Sequence, residues 1–270
     1  GLTWLQSTSD AGWSGRIFHT SVVHNNKLFI IGGYNETHHF NDVWSSSDGG
    51  VNWNEQIKHA EFSPRALHTS VIYDDKIYVL GGSDGGSIND IWSSDDDGVN
   101  WVEVVASAGW SARNNHDSIV LNNNIYVIGG NDGSKLNDVW VSGNGGVTWN
   151  QAVEHASWSA RGAQACTNWD GVIYIIGGND GVNLNDMWIS TNGVDWNEVS
   201  SSIPTPWEAR HAHASVAINN QIYVIGGHDG GFDYNDVWVY QLHKTVNINY
   251  LTLTLTLVVI FYIHKLNLEL

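Results

Sequence analysis

Cysteine is almost missing from this 270-residue chain: Cys166 stands alone, so no intrachain disulfide can staple the fold. Basic residues are scarce. Five Arg and six Lys face 28 acidic residues, giving a formal net charge of −17. That field repels phosphate, which excludes nucleic acid as a partner. Charged residues make up only 14% of the chain against 42% hydrophobic, too apolar for a disordered acidic segment. There are three Pro and one Met, whereas Gly reaches 29 and Trp 15. Glycine at that level with so much Trp and Asn suits strands and tight turns and argues against a helical bundle. The length allows one large all-β domain or two ordinary ones.

The excess residues fall on repeats. Gly doublets stand at Gly32-Gly33, Gly81-Gly82, Gly129-Gly130, Gly177-Gly178 and Gly226-Gly227, in steps of 49, 48, 48 and 49. An Asn-Asp-x-Trp quartet recurs with Trp44, Trp92, Trp140, Trp188 and Trp238. A second Trp follows at Trp53, Trp101, Trp149 and Trp196, with Trp4 as its fifth copy at the start of the chain. All five arginines, Arg16, Arg65, Arg113, Arg161 and Arg210, are equivalent. An aromatic lies three residues before each: Trp13, Phe62, Trp110, Trp158 and Trp207. Only Trp169 is outside the repeat positions.

Each repeat reads as four short strands. An alternating run after the Arg, such as His68 to Tyr73, leads to a two-residue turn of Asn, Asp or Gly. These residues accept the positive φ of a tight hairpin. A continuous apolar run such as Ile125-Tyr126-Val127-Ile128 follows, which signals burial on both faces. The Asn-Asp-x-Trp strand comes third and the second Trp strand fourth. Evenly spaced strands without helical period predict a radial all-β architecture.

This pattern resembles the kelch family of β-propellers, whose repeat of about 50 residues forms one four-stranded blade. The resemblance spans roughly residues 1–242 and implies an all-β propeller related to the galactose-oxidase central domain; the five repeat copies make it five-bladed, where kelch propellers usually have six or seven blades. Its blades are expected at 16–56, 65–105, 113–153, 161–199 and 210–240. Kelch repeats usually carry Tyr where this chain has the quartet Trp. Ser46 to Trp53 and Ser94 to Trp101 read S-x-D-x-G-x-x-W, which looks like the Asp-box turn of sialidase-type propellers. In such a turn the Asp side chain bonds backbone amides while the Trp packs beneath it.

The fifth repeat stops after its third strand, near Tyr240, and Thr3-Trp4-Leu5-Gln6 matches the fourth strand Thr148-Trp149-Asn150-Gln151. A strand over 3–7 is therefore expected to complete blade five and close the ring; a segment of a longer array is the alternative. Residues 243–270 form a hydrophobic tail outside the propeller. No residue from Thr245 to Ile263 is charged, and Leu alternates with Thr from Leu251 to Leu257. A membrane anchor, a loosely attached strand or helix, and non-native sequence are the three readings.

In a propeller, the loop entering strand one and the loop between strands two and three share a face. The candidate ligand-binding set is therefore Arg16, Arg65, Arg113, Arg161 and Arg210, their aromatics Trp13, Phe62, Trp110, Trp158 and Trp207, and Asp84, Asp132, Asp180 and Asp229. These residues fit either a ring of Arg–Asp pairs that pins loops, or a concave site for a glycan, a peptide or an acidic group. His19, His68, His116 and His213 recur three residues after an Arg, with Gln164 in blade four, and read as one structural niche used in each blade. A closed ring would bring Glu36, His38 and His39 of blade one towards His228 and Asp233 of blade five, a conceivable divalent-metal set.

Fivefold equivalence argues against catalysis, which needs an asymmetric set of groups. The expected function is a non-catalytic binding module for a protein or glycan, without a cofactor and monomeric as a domain. The alternatives are a carbohydrate-active enzyme of the galactose-oxidase or sialidase type, and a structural interaction domain of a larger protein. The sequon Asn35-Glu36-Thr37, the acidic charge and the Asp-box-like turns point towards an extracellular or membrane-anchored location, with the tail as the only membrane contact.

Overall fold

The structure is a computed structural model that describes residues 5–199 and 205–242. It is all-β: five blades arranged as a propeller. Blade one holds β1 (Thr20–His24), β2 (Lys27–Asn35), β3 (His38–Ser46) and β4 (Asn54–Ile57). Blade two holds β5 (Thr69–Tyr73), β6 (Lys76–Ser83), β7 (Ser87–Ser94) and β8 (Val102–Val105). Blade three holds β9 (Asp117–Leu121), β10 (Asn124–Asn131), β11 (Lys135–Ser142) and β12 (Asn150–Val153). Blade four holds β13 (Ala165–Trp169), β14 (Val172–Asn179), β15 (Asn183–Ser190) and β16 (Asn197–Glu198). Blade five holds β17 (Ala214–Ile218), β18 (Gln221–Ile225) and β19 (Val237–Gln241). Every blade is an antiparallel meander in chain order.

The hairpins form as their sequences dictate. His24 pairs with Lys27 and Tyr73 with Lys76, leaving two-residue turns whose central residues have positive φ, 46° and 59° at Asn25-Asn26. The second strand is buried on both faces: Ile77, Val79 and Leu80 are fully buried and Tyr78 nearly so. Its Gly doublet forms a bulge between Leu80 and Gly82. Gly82 sits at φ 102°, and a Cβ there would lie 2.6 Å from His68 Cβ. Only glycine lets strand one pass that close.

The core is not one central mass. Four clusters each fill the junction between consecutive blades. Between blades one and two, Phe29, Ile31 and Val43 meet Phe62, Ile77, Val79 and Trp101. In blades one to four the aromatic before the Arg meets the second Trp edge to face, as in Trp110–Trp149 at 6.0 Å and Trp158–Trp196 at 6.0 Å. The expected closing strand over 3–7 lies partly outside the described residues; Leu5 to Ser7 carry no strand, and the described part of blade five has three strands. The hydrophobic tail, residues 243–270, lies outside them entirely.

Candidate functional site

The quartets and the arginines turn out to be one device. Arg113 donates from Nε to the Ser111 carbonyl at 3.1 Å and from Nη1 to the Gly129 carbonyl at 2.9 Å. Nη1 and Nη2 clasp Asp138 at 2.7 and 2.8 Å, and Nη2 also donates to Ser111 Oγ at 3.0 Å. All five guanidinium N–H groups are thereby used. Arg65 and Arg161 repeat the full set with Asp90 and Asp186, while Arg16 and Arg210 pair with Asp42 and Asp236. The quartet Trp completes the clamp, since Trp140 Nε1 donates to Asp138 Oδ2 at 2.8 Å. The quartet Asn holds the next loop, Asn89 Nδ2 donating to the Ala108 and Trp110 carbonyls.

The arginines expected on the binding face are buried within these clamps, as in the structural reading of the ring. The side chains of Arg16, Arg65, Arg113, Arg161 and Arg210 are 0–1% exposed, so no ligand can touch them without dismantling the clamp. Phe62, Trp110, Trp158 and Trp207 are buried with them, and Trp13 is half-buried. Their place is the blade junction, because a desolvated guanidinium needs both its carboxylate and an apolar wall. The expected partners are corrected. Asp84, Asp132, Asp180 and Asp229 do not clasp the arginines; Asp132 Oδ1 accepts from the Ser134 amide and Asp180 Oδ1 from the Val182 amide of their own β-hairpin loops. Asp229 accepts from the Tyr234 hydroxyl and the Gly231 and Phe232 amides, which hold its carboxyl at about 2.

The histidine niche is structural. His68 Nε2 lies 3.1 Å from Thr20 Oγ1 and His116 Nε2 lies 3.2 Å from Thr69 Oγ1, each linking to the preceding blade. Gln164 does the same work through the Ile128 carbonyl. Burial, with the neighbouring Arg charge, depresses His116 to about 3 and His213 to about 4, so both are neutral. His228 Nδ1 pairs with Asp233 at 2.9 Å, yet no contact joins that pair to Glu36, His38 or His39. Among the described residues no group of three or more His, Cys, Asp or Glu is placed to hold a metal ion.

What surrounds the channel instead is the second residue after each Arg: Phe18, Leu67, Asn115, Ala163 and Ala212. All five are left-handed, with φ of 53–56°. The strained backbone lets a belt of hydrogen bonds cross from blade to blade. The amides of Leu67, Asn115, Ala163 and Ala212 donate to the carbonyls of Phe18, Leu67, Asn115 and Ala163 at 2.8–3.2 Å. These five residues floor a cavity of about 330 Å³ whose wall includes Asn131, Lys135, Asn179 and His211. Lys135 Nζ donates to the Asn179 carbonyl at 2.6 Å and to Asn179 Oδ1. Burial lowers its pKa, partly offset by Asp180. His211 Nδ1 lies 2.9 Å from Asn183 Oδ1, and burial with the neighbouring His228 keeps its pKa low. The mouth therefore offers one ammonium, several amides and an apolar floor.

Sequence reasoning missed this set because it followed the invariant positions. The mouth is where the repeats differ: Phe, Leu, Asn, Ala and Ala stand on the floor, and Lys135 of the wall occupies a position, two residues before the quartet Asn, that holds His39, Ser87, Asn183 and Asp233 in the other blades. A family model described as the KLHDC2/KLHL20/DRC7 Kelch-repeats domain matches residues 2–130 and 51–227. No curated protein gives a significant match.

Proposed function

The chain belongs to the kelch-repeat family, whose propellers are generally protein-interaction modules, and from that premise we propose that it binds a protein segment at the channel mouth. The observation that carries the reading is the asymmetry of the mouth. Everything around it is fivefold and structural, whereas the mouth places a single cation, Lys135, among Asn115, Asn131 and Asn179 over Phe18 and Leu67. Amides satisfy peptide N–H and C=O groups, the ammonium takes a carboxylate or a cluster of carbonyls, and the apolar floor takes a side chain. Binding energy is expected to concentrate on these few groups. The glycan reading loses its stacking platform, since four of the five aromatics are in the core.

Selection of a displayed peptide library on the full chain tests this. Selected peptides should slow amide exchange at residues 16–19, 65–68 and 113–116 and in the Lys135 strand. A footprint confined to the opposite rim, around the Ser46–Trp53 and Ser94–Trp101 turns, overturns the assignment.

A further inference from the structure

The innermost strands of neighbouring blades meet through a polar ladder that changes from junction to junction. Between blades one and two, Thr20 Oγ1 lies 3.1 Å from His68 Nε2 and 2.6 Å from Ser70 Oγ. Between blades two and three, Thr69 Oγ1 lies 3.2 Å from His116 Nε2 and 2.6 Å from Ser118 Oγ. One threonine hydroxyl thus serves an imidazole and a serine of the next blade. Between blades three and four, Asp117 stands in the threonine position and accepts from the Cys166 amide at 2.6 Å. Gln164 replaces the imidazole there and donates to the Ile128 carbonyl. Between blades four and five the imidazole and the serine return as His213 and Ser215, but the threonine position holds Ala165.

That change leaves buried polar atoms without a protein partner. His68 and His116 lack one only at Nδ1, whereas neither ring nitrogen of His213 has a hydrogen-bond partner among the described residues, and Ser215 Oγ has none. Burial and the Arg210 charge hold the His213 pKa at about 4, so the ring is neutral, with one N–H and one lone pair to satisfy. The Ile176 carbonyl is near enough to oppose that fall slightly, yet it makes no hydrogen bond to the ring. The niche also has room. Ala165 lacks the hydroxyl and the methyl of a threonine, and Ala217 stands on the facing strand where the first two junctions place Ile72 and Val120. Thr167, on the same face of β13 as Ala165, brings a hydroxyl where Val22 and Val71 pack elsewhere. This junction is therefore smaller-walled and more polar at its inner end than its counterparts.

We infer that the niche between β13 and β17 is a binding site for water, one molecule standing where the hydroxyls of Thr20 and Thr69 stand in the first two junctions. Water both donates and accepts, so it serves either tautomer of His213 together with Ser215. An internal water needs two to four polar partners and about its own volume of space, and these residues supply both. An apolar occupant would leave His213 and Ser215 unpaired, at the cost of two buried polar groups.

Crystal structures of the full chain and of its Ala165→Thr variant, at a resolution that orders internal water, test this. The parent should show a density peak about 3 Å from both His213 Nε2 and Ser215 Oγ. In Ala165→Thr the new hydroxyl should take the place of that peak. No peak in the parent with both side chains ordered, or a peak that persists in the variant, overturns the inference. Thermal melts give an independent reading through a sign. If water bridges the pair, Ser215→Ala removes one of its partners and should lower the melting temperature by about 2–4 °C. In a dry niche the same substitution deletes an unpaired buried hydroxyl and raises it. A rise, or no change, overturns the inference without recourse to the crystal.

Discussion

Replacing Asp138 by Asn keeps the shape of the clamp and deletes its charge. Arg113 is 1% exposed and Asp138 8%, so the guanidinium left behind has no water to turn to. Two charge-assisted hydrogen bonds of 2.7 and 2.8 Å become one neutral bond, and the new amide N–H groups face Arg113 Nη2 or Trp140 Nε1, which also donate. Breaking a buried ion pair from one side costs about 3–5 kcal/mol, most of it the uncompensated charge. Asp236→Asn is the graded control. Its side chain is 35% exposed against 11% for Asp138, so water screens the orphaned Arg210 and the loss should fall to about 1 kcal/mol. Urea unfolding followed by Trp fluorescence, with amide exchange to localise the loss to the blade, measures both. A cost below about 1 kcal/mol for Asp138→Asn, or a larger cost at Asp236 than at Asp138, refutes a desolvated structural clamp.

Other perturbations read other parts of the fold. Asp117 is half-buried between blades three and four, where its carboxylate accepts from the Cys166 and Ser118 amides, and desolvation raises its pKa from 3.8 to about 6. The folded state then binds the proton more tightly than the unfolded chain, so this group's stabilisation is complete below pH 3.8 and is lost as pH rises through 6. Asp117→Asn should therefore raise stability by up to about 3 kcal/mol at pH 7.5 and by nothing near pH 4; a gain that does not vary with pH contradicts the assignment. Gly82→Ala should cost more than about 2 kcal/mol, since its Cβ meets His68 Cβ at 2.6 Å and the Ala66 carbonyl at 2.8 Å. Gly85→Ala, at φ 119° with open space around it, should cost only the strain of its backbone, about 1 kcal/mol. Thermal melts order the two, and equal losses contradict the close-approach explanation.

The fold was legible because the repeat writes each structural residue five times. Gly doublets, hairpin turns and continuous second strands all landed where their chemistry required. The partner of the Arg was in plain view as well: Asp42, Asp90, Asp138, Asp186 and Asp236 follow their arginines by 25 or 26 residues. It was passed over because Asp84 and its equivalents lie in a loop of the expected face, whereas quartet aspartates sit on a strand. Loop proximity proved weaker than the need of a buried guanidinium for a carboxylate at its own depth. The channel floor was illegible for the opposite reason. Phe18, Leu67, Asn115, Ala163 and Ala212 share a left-handed backbone, not a residue type, and no side-chain pattern announces it.

The division between an invariant structural ring and a variable binding mouth is tested most directly by Lys135→Glu. Lys135 Nζ is held by Asn179 and by no carboxylate clamp, so reversing its charge should leave the melting temperature within a few degrees of the parent chain. The affinity of a library-selected peptide, read by fluorescence anisotropy, should fall at least about tenfold, or about 1.4 kcal/mol. Undiminished affinity in Lys135→Glu, with the fold intact, would contradict the assignment of the mouth as the binding surface.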